Sequence, residues 1–220
     1  MELATLWSTW LSVLEDLGFA ARAIVREPAS EAALAALEAA AGRSLPPGAR
    51  ALYGLADGQR TTHELAHAGV TFGGRAAAGI FGFYEFLSTE AAVREYAMWQ
   101  GVASDLGAEE LAAFADGVTV AQPDLVRGDY WNSGWIPFAR DGGGNALGFD
   151  LAPAARGTVG QIIIFGSDED HRRVIARDPA RLLERLIDAA QADRLDLGGD
   201  GAERYYDAPT VFGYEQPESP

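Results

Sequence analysis

The chain contains no cysteine and no lysine. Without thiols it can form neither a disulfide nor a thiolate-ligated metal site. Without lysine it lacks the ammonium that usually completes a phosphate-binding glycine loop, and all 17 of its basic side chains are arginine, set against 32 carboxylates for a net charge of −15. No apolar run approaches the roughly 18 residues that a membrane span requires. The first basic residue is Arg22 and an acid stands at Glu2, so the N-terminal stretch does not read as a secretory signal. These absences lead to the expectation of a cytoplasmic chain that binds neither membrane nor nucleic acid, since an acidic field repels phosphate and attracts cationic partners.

What is present is ordinary globular material. The 220 residues are 48% hydrophobic and 22% charged, enough for one domain with a real core. Leu3, Leu6, Trp7, Trp10, Leu11, Leu14 and Leu17 recur at helical spacing before Gly18, which predicts an amphipathic helix with both tryptophans inward. Further helices are expected after Ser30, after the Pro46-Pro47 pair, after Ser88 or Thr89, over residues 104–117 with Leu111 and Phe114 facing inward, and after Asp178-Pro179. Strands are expected over 80–84, 136–139, 147–151, 161–165 and 173–176. The reading is a single α+β domain over residues 1–197, followed by an acidic Gly/Pro-rich tail over 198–220. Tyr205, Tyr206, Phe212 and Tyr214 of that tail are expected to anchor on the body while the last residues fray.

Two motifs raise the question of chemistry. Asp141-Gly142-Gly143-Gly144-Asn145 could cradle a phosphate or a cation, but a strand pattern follows it instead of a helix, and its acids repel phosphate. It does not match the EF-hand loop. It reads as a hairpin turn in which glycines supply positive φ and Asp and Asn bond back to the backbone. His63-Glu64-Leu65-Ala66-His67 matches the zinc-hydrolase pattern H-E-x-x-H, yet Gly69 follows at once, so the stable helix it needs is not expected, and the extended H-E-x-x-H-x-x-G-x-x-H spacing fails because positions 70 and 73 are Val and Gly. Glu85 or Glu90 could in principle supply a third ligand, but Glu85 lies next to an expected strand and Glu90 in a helix cap. The expectation is therefore no metal and no cofactor. His171 beside Arg172 and Arg173, after Asp168-Glu169-Asp170, reads as a charged turn between strands. No Gly-x-Ser-x-Gly elbow is present, and no carboxylate pair stands out as general acid and base, so no catalytic residue is assigned.

The hairpin stretch "GWIPFARDGGGNALGFDLAP", the following "GTVGQIIIFGSDEDHRRVIA", the helix "LLERLIDAA" and, upstream, "SEAALAALEAAAGRSLPPGARALYGLADGQ" together resemble the SUKH superfamily, the Smi/Knr cell-wall-assembly regulator group. The structural signature comprises Trp135, Pro137, Asp141, Gly142, Gly143, Gly144, Asn145 and Asp150. The resemblance implies a mixed, largely antiparallel sheet flanked by helices and a non-catalytic, protein-binding role. One implied role is that of an immunity protein neutralising a bacterial toxin, the partner then being a basic toxin domain such as a nuclease. The alternative is a regulatory scaffold without a toxin partner. The stretch over 103–132 looks longer than in a minimal family member. Between Tyr84 and Tyr130 nine acids face two arginines, so the partner-binding candidates are Asp105, Glu109, Glu110, Asp116, Asp124, Asp129, Tyr130 and Trp131. Trp131 reads equally well as a cover over the core beside the hairpin.

Overall fold

The computed structural model of the protein describes residues 1–69, 78–200 and 204–213. Tyr214, the last residues of the chain and positions 70 and 73 lie outside them.

The Leu/Trp stripe forms α1 (Leu3–Asp16) and buries Leu6, Trp7, Trp10, Leu11 and Leu14. A single turn, α2 (Ala21–Ile24), leads to α3 (Glu31–Ala41), whose N-terminus is capped by Ser30 Oγ accepting from the Ala33 amide at 3.2 Å. Pro47 opens α4 (Pro47–Tyr53), and a Thr61 cap opens α5 (Thr62–His67). Residues 80–84, expected as a strand, make a tight turn closed by bridges between Gly79 and Gly82 and between Phe81 and Tyr84. Extended pairing starts one residue later, at β1 (Glu85–Phe86). Next comes α6 (Thr89–Ala115), interrupted at Gly107, then β2 (Thr119–Val120).

The second half supplies β3 (Trp135–Arg140), β4 (Asn145–Asp150), β5 (Gln161–Gly166) and β6 (His171–Ala176), then α7 (Pro179–Gln191). Among the described residues these build a six-stranded sheet in the order β1-β3-β4-β5-β6-β2, antiparallel throughout except where β2 runs parallel to β6. The fold is α+β, a mixed and largely antiparallel sheet with flanking helices. All six residues of β5 are buried, as a strand covered on both faces requires. One aromatic cluster joins Phe165, Trp135, Trp131 and Trp99 of α6. A second joins Phe138, Phe149, Phe81 and Phe86.

The segment after Leu197 takes part in this core. Strand β7 (Asp196–Gly198) pairs with β8 (Tyr205–Asp207), and α8 (Pro209–Phe212) follows. The Tyr206 hydroxyl donates to the Ile80 carbonyl at 2.7 Å, and Trp10 Nε1 donates to the same oxygen at 2.9 Å. Phe212 is fully buried beside Tyr84. Tyr205 stays half exposed against Phe83. The hairpin thus locks onto α1 across the whole length of the chain. No helix among the described residues is long and apolar enough to cross a membrane.

Candidate protein-interaction surface

The glycine loop is a turn between β3 and β4. Asp141 organises it: its Oδ1 accepts from the amides of Gly143 (2.7 Å) and Asn145 (3.0 Å), and its Oδ2 accepts from Asn145 Nδ2 (2.7 Å). Asn145 Oδ1 then accepts from the Asp168 amide, tying this turn to the one between β5 and β6. Pro137 coincides with a register shift between β3 and β4, as a residue without an N–H demands. Trp135 and Asp150 are fully buried. Burial pushes the Asp150 carboxyl up, while hydrogen bonds from Gln161 Nε2 (2.9 Å) and the Ala152 amide (2.9 Å) pull it back. The carboxylates of this signature are engaged within the fold and none is presented to a ligand.

The H-E-x-x-H stretch does sit on a helix, contrary to the sequence expectation. A Thr61-x-x-Glu64 capping box supports it: Glu64 Oε2 accepts from the Thr61 amide at 2.7 Å, and Thr61 Oγ1 accepts from the Glu64 amide at 3.2 Å. That arrangement disqualifies Glu64 as a hydrolytic base. The Thr61 amide and the paired Arg26 guanidinium lower its carboxyl to about 2, far from the neutral range a general base needs. A polar pocket of about 260 Å³ between α5 and β1 involves Arg26, Glu64, Glu85 and Arg140. Its arginines Arg26 and Arg140 already pair with Glu64 and Glu95.

The expected charged turn before β6 is only partly exposed. Consecutive residues Arg172 and Arg173 are both buried, pointing to opposite faces of the sheet. Arg173 pairs with buried Glu169 at 3.0 Å and donates to the Phe212 carbonyl at 2.6 Å. Arg172 donates to the carbonyls of Asp129 (3.2 Å), Tyr130 (2.9 Å) and Glu169, and lies over the Trp135 ring. Sequence reasoning missed this anchor, because charge alone reads as surface. Its consequence is local: the backbone carrying Asp129 and Tyr130 is fixed to the sheet.

The acidic candidates lie on α6, at its end and in the loop before β3. All the buried residues of α6 (Thr89, Ala92, Glu95, Tyr96 and Trp99) precede Gly107. With φ 72° and ψ 175°, Gly107 breaks the helix there and re-aims its C-terminal portion. None of residues 108–115 is fully buried; Leu111 and Ala115 are half-buried. Asp105, Glu109, Glu110 and Asp116 are exposed and pair with no arginine among the described residues. Asp124 is exposed, with Arg156 at 3.8 Å. Asp129 is half-buried and accepts from Asn132 Nδ2 at 2.6 Å.

Phe114, expected inward, is 50% exposed and stacks on half-buried Tyr130 at 5.0 Å. Beside it, Leu106, Glu110, Ala113 and Phe114 line an open depression of about 490 Å³. Trp131 turns inward, stacked on Trp99 at 5.4 Å with its Nε1 donating to Gln100, so it covers the core and is not a surface anchor. The residues brought together at the surface are therefore Leu106, Glu110, Ala113, Phe114 and Tyr130, with Asp105 and Glu109 exposed on the same segment.

The model of the SMI1 / KNR4 family (SUKH-1) matches residues 28–185, spanning α3 to α7 and including the hairpin and the acidic segment. The chain belongs to the SMI1/KNR4 family. Among its relatives, the cell wall biosynthesis/cell cycle regulator smi1 of Schizosaccharomyces pombe is 35% identical over 122 residues, 53% of this chain and 24% of that protein. The glucan synthesis regulatory protein of Neurospora crassa is 42% identical over 81 residues, 37% of this chain and 15% of that protein. The cell wall assembly regulator SMI1 of Saccharomyces cerevisiae is 33% identical over 99 residues, 44% of this chain and 20% of that protein. The chain thus spans about a quarter or less of the curated SMI1/KNR4 relatives it matches. Their names are those of fungal regulators. They favour the regulatory alternative over the toxin-immunity reading, which they do not support. Helix α1 and the Tyr206–Phe212 anchor lie outside the matched region, yet they complete the core.

Proposed function

We propose that the chain is a non-catalytic SMI1/KNR4 domain that regulates by binding a protein, and that it docks a basic partner on the face formed by Asp105, Glu109, Glu110, Phe114 and Tyr130. The observation that carries this reading is the helical segment after Gly107, which fully buries none of its residues yet presents an exposed aromatic among unpaired carboxylates. Protein interfaces combine aromatic anchors at the centre with a polar, charged rim. By likeness to the fungal relatives, the process regulated is cell-wall or glucan assembly in the cytoplasm. A basic toxin domain would fit the same charge, but the relatives' names favour the regulatory role.

The test is association kinetics with the partner recovered from the source organism. Steering by unpaired acids makes the association rate fall with ionic strength while dissociation changes little. Reversing Asp105, Glu109 and Glu110 to Arg is expected to slow association by about tenfold or more. Phe114→Ala is expected to speed dissociation with little effect on association. Rates flat with salt and unchanged in the triple reversal would remove this face from the function.

A further inference from the structure

Helix α5 carries a feature that neither the fold nor the acidic face uses. With Thr61 and Glu64 committed to the cap and Leu65 buried, His63 and His67 stand one turn apart on the solvent side, both exposed. Their Nε2 atoms are 3.1 Å apart, with ring centroids at 4.3 Å and planes inclined by 66°. Two imidazole nitrogens facing each other at this distance share either a proton on one ring or a cation between both lone pairs.

We propose that His63 and His67 form a bidentate chelate for a borderline divalent transition metal ion of the Ni²⁺, Cu²⁺ or Zn²⁺ class, a departure from the expectation that this motif holds no metal. Nitrogens 3.1 Å apart, each about 2.0–2.1 Å from a metal, subtend about 95–100° at it, between the octahedral and tetrahedral angles. Imidazole suits these ions, whereas Mg²⁺ and Ca²⁺ require oxygen. Among the described residues no group of three or more His, Asp or Glu could hold a metal ion, so water fills the remaining positions. Glu64, tied to Thr61 and Arg26, activates none of it. The site is a reversible surface chelate, not a hydrolytic centre.

The test is titration of the tag-free full chain with Ni²⁺ alone. One Ni²⁺ per chain is expected. His63→Gln and His67→Gln should each weaken binding by about tenfold or more, because each removes one of two linked ligands, whereas His171→Gln should change nothing. In the unmodified protein, Ni²⁺ is expected to broaden the ring-proton NMR signals of two of the three histidines, those of His63 and His67, before the third. Parent-like binding in either single variant, or His171 broadening first, overturns the proposal. Cu²⁺ is expected to bind more tightly than Ni²⁺, following the usual divalent order.

Discussion

The hairpin offers the sharpest test of how sequence dictates this fold, because its three adjacent glycines are not equivalent. Gly142 has φ 77° and Gly144 φ 101°, while Gly143 stays outside the left-handed region. An L-residue in left-handed backbone is destabilised by about 1–2 kcal/mol. Nothing lies within 4 Å of a methyl built at Gly142, so Gly142→Ala is expected to cost that conformational term alone. At about 2–4 °C per kcal/mol for a chain of this size, the melting temperature should drop by roughly 2–8 °C.

Gly144→Ala adds a collision with Ser167 Oγ. The Ser167 amide is held by the Gly144 carbonyl at 3.1 Å, so the exposed Ser167 hydroxyl must rotate aside, and the loss is expected to be at least that at Gly142. Adding Ser167→Gly should recover the steric part but not the conformational part. At Gly143 the nearest atom to an added methyl is Asp141 Oδ1 at 3.4 Å, an ordinary contact. Gly143→Ala should therefore be neutral or slightly stabilising, by about 0.4–1 kcal/mol at most, through the unfolded chain. Thermal and urea unfolding followed by tryptophan fluorescence give the ranking. Three equal effects, or Gly143 as the most sensitive position, would refute the reasoning.

Two other perturbations test contacts elsewhere in the fold. Phe212→Ala should destabilise the whole domain by about 3–5 kcal/mol, and near-parental urea stability would show that the C-terminal segment is dispensable. Glu64→Gln removes a carboxylate whose folded pKa lies near 2, below its usual 4.5. The ionised form favours the folded state, so its contribution is fully present above about pH 4.5 and fades as pH falls toward 2. The stability gap between parent and variant should close over that window, and a pH-independent gap would contradict it.

The elements readable from sequence are those where a single period or cap dominates. The Leu/Trp spacing of α1, the Ser30 and Asp178 caps and the apolar runs of β3 to β5 all appear within a residue or two of expectation. The features that escaped depend on direction and partners. The helical pattern over 104–117 places Phe114 inward only if the helix runs on from Trp99 in phase, and the break at Gly107 resets that phase. Arg172 and Arg173 look solvated until the carbonyls and the Glu169 carboxylate that hold them are known. The capping box at Thr61 and Glu64 was legible as Thr-x-x-Glu, and would have shown that H-E-x-x-H sits on a helix whose Glu is occupied.

The division between scaffold and surface has a physical basis in α6. Before Gly107 the helix is bound to the core by Trp99, Tyr96 and Ala92, positions where a substitution reaches the packing of the whole sheet. After Gly107 the segment rests on the body through the Phe114–Tyr130 stack. Tyr130 is in turn fixed from below by Arg172, whose guanidinium binds main-chain oxygens, so the hold does not depend on which side chains the loop displays. Exposed carboxylates on such a segment can change at little cost, typically within about 0.5 kcal/mol of stability. The fold can therefore keep its core while the charge at Asp105, Glu109 and Glu110 changes.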